Sequence, residues 1–346
     1  MRTLLNREQF RNAVFDRDNH KCVVCNQPAQ DAHHLIERAL WTSPLEQGGY
    51  FLNNGVSLCG LCHLRAESTE FSVEYLREKA GITKIELPEQ LYEEYIYTKW
   101  GDIVHPDGTR TPGERFHDYS VQKVIKQYLH LYSPYIKYPR TFHLPWSEGR
   151  SKDDRILLDT DQFEGSHVTI TEKMDGENTT IYSNYIHARS LTSESHPSQS
   201  WVRALASRIG YQLPEGMRIC GENLYAKHAI PYNDLSSYFM VFSIWDGNNS
   251  CLSWGETVEW CQLLELETVP VIYQGKWDEK LVRDLYTQYS ATKDREVEGY
   301  VVRLSEDFPY SRFRQSVAKY VRANHVAATV HNWKRTTIVP NQVRYE

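Results

Sequence analysis

The sequence predicts an α+β protein in which a small metal-stapled module precedes a larger domain built on antiparallel strands. Two observations carry this. Two C-x2-C pairs lie close together in the first 62 residues, the spacing by which thiolates staple a module with little core of its own. From about residue 137 the texture changes to short apolar-alternating runs separated by turn residues and by helices, the pattern of an antiparallel α+β domain. The expected organisation is a zinc module over 1–87, a helical connector over 88–136 and the strand-rich domain over 137–346.

The elements follow in order. "NREQFRNAVFDRDNH" (6–20) has a capping Asn and apolar spacing suited to a helix, and "STEFSVEYLREKAG" (68–81) runs from Ser to Gly as a second one. Helical patterns are expected again at 88–99 and in "YSVQKVIKQYLHLY", with a turn-rich stretch between them. The strand candidates are "HVTITEKM", "NTTIYSNYIHARS", "GMRICGENLYA", "YFMVFSIWD" and "VEGYVVRL", with helices at 199–209, 254–265 and 278–289. There is no internal repeat.

Bulk composition narrows the function. The chain has 346 residues, 40% apolar, with a formal charge of −6, which argues against indiscriminate coating of nucleic acid but not against a local basic track. Residues 311–335 supply one: Arg312, Arg314, Lys319, Arg322, Lys334 and Arg335, with no acid among them. Most such runs are solvated helix faces; the lack of carboxylates in an acidic protein points instead to phosphate. No apolar run is long enough to span a bilayer and the N-terminus lacks a signal-peptide pattern, so a cytoplasmic protein without a membrane partner is expected. An odd total of seven cysteines reads as a metal site plus buried thiols.

Cys22, Cys25, Cys59 and Cys62 are the expected Zn²⁺ ligands. Around them stand "AHHLIERALW" (32–41), "GGYFLNN" (48–54) and His63. This order of His-His, Asn and His over about residues 15–67 resembles the zinc-stapled HNH nucleases, a ββα-metal unit. The resemblance implies that His34 is the general base, that His33 and His63 hold a divalent metal, and that Asn54 orients the base. An imidazole can take a proton near neutral pH. Many members carry Asp where His33 stands. The other reading of the module is a zinc-ordered nucleic-acid binder without catalysis.

Lys173 lies in "TEKMDGENTT", a Lys-x-Asp-Gly turn flanked by Glu172, Asp175 and Glu177. Further segments follow: "IHARS", "ICGENLY", "YFMVFSIWD", "VEGYVV" and "VAKYVR". In this order they resemble the covalent nucleotidyltransferases, with an ATP-grasp-like ligase domain, and most closely ATP-dependent RNA ligases of the RNA ligase 2 type, from about Tyr138 to Trp333. The resemblance implies that Lys173 attacks the α-phosphate of ATP and carries AMP. It further implies that Arg189 contacts ribose and phosphate, Glu222 binds the ribose, Phe242 stacks on adenine, Glu298 helps to hold Mg²⁺ or Mn²⁺, and Lys319 holds the α-phosphate. Asn178 and Arg322 are the implied contacts to nucleic acid, an RNA or a nicked duplex. The family's last motif usually reads K-x-K, where this chain has Lys319-Tyr-Val-Arg322.

An amine with an ordinary pKa of about 10.4 is protonated at neutral pH and cannot attack phosphorus. Burial with Lys319, Arg322 and Mg²⁺ nearby is expected to depress the pKa of Lys173, and carboxylates to raise it. Only 27 residues follow Lys319, too few for the OB barrel of DNA ligases and capping enzymes, so an RNA ligase is favoured. The alternative function is a metal-dependent HNH nuclease whose ligase-like domain is a sensor.

Overall fold

The computed structural model describes residues 3–151, 154–191, 196–323, 325 and 338–344. The chain divides into two compact units, 1–136 and 137–346.

In the first unit, α1 (Arg7–Arg17) starts at Asn6, whose side chain accepts from Gln9 N while the Gln9 side chain accepts from Asn6 N. This reciprocal cap satisfies two donors that a helix start leaves open. Its buried face, Phe10 and Val14, lies on an antiparallel pair, β1 (Asp31–His34) with β2 (Gly55–Leu58). Arg17 donates to the carbonyls of Leu52 and Gly55, and Asp18 accepts from Ser57 N, tying the end of α1 to the start of β2. Then comes α2 (Gly60–Glu67), followed by α3 (Val73–Lys79).

Two expectations are corrected here. The second helix starts at Ser72, which caps Tyr75 N, and not at Ser68. The Ser68 hydroxyl instead donates back to Arg65 O, and Thr69 has a φ of +67°, which breaks the helical path. The helix expected at 88–99 does not form. Its C-terminal part is β3 (Ile96–Tyr97), in a three-stranded antiparallel sheet with β4 (Ile103–Val104) and β5 (Arg110–Thr111). Leu91 and Tyr97 are drawn into the core around Val56 and Leu58, so tertiary burial overrides local helix propensity. Next, α4 (Tyr119–Ile125) packs Val121 and Ile125 against Trp100.

The second unit begins with β6 (Phe142–His143), β7 (His167–Lys173), β8 (Glu177–Ile181) and β9 (Ile186–Ala188). It continues through α5 (Ser200–Ile209), β10 (Arg218–Asn223), β11 (Phe239–Trp245), β12 (Ser250–Cys251), α6 (Trp254–Leu263) and β13 (Glu267–Thr268). The last elements are β14 (Val271–Lys276), α7 (Glu279–Ser290), β15 (Gly299–Leu304), β16 (Phe308–Pro309), α8 (Phe313–Ser316) and β17 (Val317–Val321). One sheet has the order β14-β7-β15-β17-β6; the other runs β16-β12-β11-β10-β8-β9, with β13 beside β11. Pairing is antiparallel except for β17 with β6 and β11 with β13 among the described strands. Helix α7 buries Val282 and Leu285 against Ile170, Tyr300 and Val302 of the first sheet. Helices α5 and α6 bury Val202, Leu205 and Cys261 against Ile219, Val241 and Ile244 of the second.

The feature that matters most for function is the step from β7 to β8. These strands are consecutive in the chain but belong to different sheets, so the Met174–Gly176 turn is where the chain crosses between them.

The basic run is not a single track. Its centre is β17, a strand, and its cations diverge: Arg314 lies over the Phe142 ring at 4.8 Å, and Arg322 pairs with Glu296 at 2.6 Å. Lys334 and Arg335 lie outside the described residues.

Candidate active site

Lys173 is the last residue of β7 and pairs in register with Gly299 at the start of β15. A Cβ on Gly299 would come within 1.9 Å of Tyr320 O, so only glycine lets β7, β15 and β17 approach this closely. That approach sets Glu298 beside Lys173, with Nζ 2.8 Å from the carboxylate. Gly176 is needed for a similar reason: a Cβ there would meet Asn223 O at 2.5 Å. Its N–H donates to Glu222 Oε1 at 3.1 Å. Asp175 is fixed by its own N–H donating to Tyr232 Oη and by Ile230 N donating to Oδ2.

Phe242 reaches the site by a different device. In the pairing of β10 with β11, Cys220 faces Ser243 and Gly221 faces Val241, so Phe242 is the extra residue of a β-bulge. A bulge breaks strict alternation and re-aims one side chain. Phe242 is accordingly the half-buried residue in an otherwise buried strand, with Tyr138 edge-on at 5.2 Å.

These elements enclose a cavity of about 630 Å³ whose lining includes Lys173, Asn178, Arg189, Glu222, Phe242, Glu298 and Lys319. Arg322 is not among the lining residues; it lies just past β17, on Glu296. Asn178 Oδ1 is buried with no hydrogen-bond partner among the described residues, and Asn178 lines the cavity. Sequence reasoning missed Tyr138, Arg140 and His325, which also line the cavity. Nothing in their local sequence marks them.

Of the three acids flanking the lysine, two serve structure. Glu172 pairs with Arg295 at 2.6 Å and accepts from Tyr289 Oη at 2.7 Å. Glu177 accepts from Gln199 Nε2 at 2.9 Å. The charge state of Lys173 also differs from expectation. Burial pulls its pKa down, but the charges of Glu298 and Glu222 outweigh it and leave the amine above the ordinary lysine value. The group that is depressed is Lys319, brought to about 8 by burial and by Lys173. Burial raises Glu222 to about 8.

The first unit holds two clusters. The Cys22, Cys25, Cys59 and Cys62 sulfurs lie within 4.8 Å of one another, with no disulfide. Cys25 is 3.6 Å from Cys59 and 3.8 Å from Cys62, close to the edge of about 3.8 Å set by tetrahedral Zn–S bonds of about 2.3 Å. The four thiols fit one zinc ion. Beside them His33, His63 and Glu67 converge. His63 Nε2 and His33 Nδ1 stand 3.1 and 3.4 Å from Glu67 Oε1. Glu67 follows His63 by four residues on α2, one helical turn on the same face, a spacing readable in the sequence but unused.

Lys99 was not foreseen at all. It is buried, 2.5 Å from Glu67 and 3.3 Å from Glu37. His34 stacks on Phe10 at 4.4 Å, and burial lowers its pKa to about 3, as it does for His33. Asn54 spends its side chain on the backbone of Ile36 and Gly49. It fixes the loop after His34, and its side-chain bonds are to that backbone.

An antiparallel-rich α/β unit with a lysine, carboxylates, an aromatic ring and a second lysine around one cavity defines a site suited to a nucleotide phosphate. Residues 166–321 match the family model of RNA ligase. Among solved structures the chain is similar to an archaeal ATP-dependent RNA ligase, at 16% identity and TM-score 0.39 over 54% of this chain and 48% of that one. It is also similar to Naegleria gruberi RNA ligase with PPi, at 15% identity and TM-score 0.38 over 81% and 74%. A mutant of the Naegleria gruberi ligase with ATP and Mn is matched at 15% identity and TM-score 0.35 over 50% and 54%. The chain thus spans about half the length of the archaeal ligase. No curated protein gave a match.

Proposed function

We propose that the second unit is an ATP-dependent RNA ligase that forms a lysyl-AMP on Lys173, passes AMP to a 5′-phosphate end and seals that end to a 3′-OH. The carrying observation is the convergence of Lys173, Arg189, Glu222, Phe242, Glu298 and Lys319, from separate strands and turns, on one cavity. In the first step the Lys173 Nζ lone pair forms an N–P bond to the α-phosphate as the bond to the leaving pyrophosphate breaks. The amine must lose its proton to do so, and Glu298 is the group that now holds it charged. Lys319, close enough to Lys173 to depress its own pKa, is placed to neutralise the α-phosphate. Phe242 offers a face to the base, and Glu222 offers its carboxyl group to a ribose hydroxyl. Asp175 and Glu298 would hold Mg²⁺ or Mn²⁺, whose chemistry is charge neutralisation on the phosphates. Incubation with labelled ATP should give acid-stable, hydroxylamine-labile AMP, mapped to the Lys173 peptide. AMP on another lysine would refute the assignment.

For the first unit we propose a zinc-stapled HNH module, favoured by the four-thiol cluster and by the convergence of His33, His63 and Glu67. Zn²⁺ on Cys22, Cys25, Cys59 and Cys62 would serve structure. His33 and His63 would hold a divalent ion and the neutral His34 would act as base. Lys99 competes for the Glu67 carboxylate, so an incoming ion must displace it. Nicking of nucleic acid that vanishes in His34→Ala supports cleavage. Loss of strand binding on removing the unit, without nicking by any metal, supports a binding module instead.

A further inference from the structure

Three buried side chains in the cavity of the second unit aim donor atoms at one place. The donor atoms of Asp175, Glu298 and His325 all lie within 4.8 Å of one another. His325 is 5% exposed, and its Nε2 stands 3.3 Å from Glu298 Oε1 and 3.7 Å from Asp175 Oδ1. The second separation is too long for a hydrogen bond. Neighbouring ligands on one ion with bonds of about 2.1 Å stand about 3.0 to 3.4 Å apart, so the Glu298 pair already has that spacing and Asp175 Oδ1 is a few tenths of an ångström outside it. The carboxylates are also oriented for it. Asp175 Oδ2 accepts from Ile230 N at 2.8 Å, which leaves Oδ1 turned to the imidazole. Glu298 meets Lys173 and His325 together.

We infer that His325 binds, through Nε2, the divalent ion used in this cavity, alongside Asp175 and Glu298, and that it shifts metal choice from Mg²⁺ toward Mn²⁺ and later transition ions. The inference rests on the ligase reading for what the ion does, but not for its binding. Two carboxylates alone make an oxygen site, which suits Mg²⁺. Replacing an oxygen donor by imidazole nitrogen favours ions further along the Mn²⁺ to Cu²⁺ series, because nitrogen is the softer donor. Mg²⁺ also gives up water reluctantly, so it gains least from a buried nitrogen. His325 sets metal specificity in this account; Lys173 remains the nucleophile.

The test uses the full chain in a His63→Ala background, which removes the half-buried histidine of the first unit's cluster. With one equivalent of Mn²⁺ and no ATP, spin-echo EPR should show the ¹⁴N coupling of a directly bound imidazole. His325→Gln should remove that coupling and weaken Mn²⁺ binding by tenfold or more in calorimetry, while Mg²⁺ binding changes less than threefold. His325→Asn, with a shorter polar side chain, should behave in the same way and guards against a folding artefact in one variant. A coupling that persists in both variants, or equal losses for the two ions, would overturn the inference, the second result marking a merely structural histidine. Labelled-ATP transfer on the same preparations separates the two readings. AMP on Lys173 without the nitrogen coupling defeats only this inference, and coupling without AMP defeats only the ligase assignment.

Discussion

Each unit seats a lysine on a glutamate, and the two pairs have opposite settings. Lys173 meets Glu298 at 2.8 Å with a quarter of its side chain exposed (25%) to a cavity of about 630 Å³. Lys99 meets Glu67 at 2.5 Å with 6% exposed, and a second acid, Glu37, stands at 3.3 Å. Both pairs lie beside histidines. What differs is access. An ammonium clamped between two carboxylates and sealed from solvent has no space in front of it for a substrate, so it serves as their counter-ion. An ammonium with one carboxylate and an open front can lose its proton when that carboxylate is engaged elsewhere. A lysine–glutamate pair does not by itself mark chemistry; the space in front of it does.

The sharpest way to break the contrast is to remove each amine in turn. Lys173→Met should lower AMP transfer by at least about a thousandfold, since no other group replaces a covalent nucleophile. Lys99→Met should leave AMP transfer within about twofold. It should cost the first unit about 3 kcal/mol in a melting experiment, because two half-buried carboxylates lose their counter-charge. Equal effects of the two variants on AMP transfer would erase the distinction.

The next largest effect separates the units by metal. Metal analysis should find one zinc per chain, and Cys59→Ser should lose it. That variant should also lose the unfolding transition of the first unit, because binding of a structural ion is part of the folding free energy. AMP transfer should survive in the second unit. A zinc-free protein with both transitions intact would contradict the four-thiol assignment.

A pH profile then tests the cavity alone. Lys173 is held above the ordinary lysine value, so kcat/KM for AMP transfer should rise with pH as the amine deprotonates. Lys319, at about 8, is charged below that pH and loses its charge above it, which should bend the profile down. Free-enzyme groups are the ones kcat/KM reports. Lys319→Arg keeps its charge at all these pH values and should move the downturn to higher pH. A downturn unmoved in Lys319→Arg would assign it to another group.

Smallest is the effect of the aromatic face. Phe242→Leu should raise the ATP concentration needed for half-maximal transfer by about three- to tenfold, the range of a stacking contact, and Phe242→Tyr by less. Indistinguishable variants would make Phe242 packing alone.

Much of the second unit was readable because its strands alternate and its chemistry sits at strand ends. Lys173, Glu222, Glu298 and Lys319 each lie in or beside a strand expected from the pattern or a segment singled out for its polar group, and the fold brings them to one cavity. What sequence could not supply was direction. Glu172 and Glu177 look from their position like partners of Lys173, and they do line its cavity, yet their carboxylates are engaged by Arg295 and Gln199. Arg322 sits three residues from Lys319 and past the strand, so it falls on Glu296 and away from the cavity. Lys99 and His325 come from segments with no motif, and only tertiary folding delivers them. The missed strand at 96–97 belongs to the same class, since its tyrosine is recruited by a core assembled from distant residues.

The bulge at Phe242 carries a consequence for how such a pocket can change over generations. A ladder residue is constrained twice, by its backbone partners across the strand and by its side chain. Phe242 stands outside the register of β10 with β11, so its side chain answers to the cavity while the ladder is completed by its neighbours. Exchange of the ring therefore leaves the sheet pairing whole, and the shape of the cavity can drift at this position without dismantling the scaffold that aims Lys173.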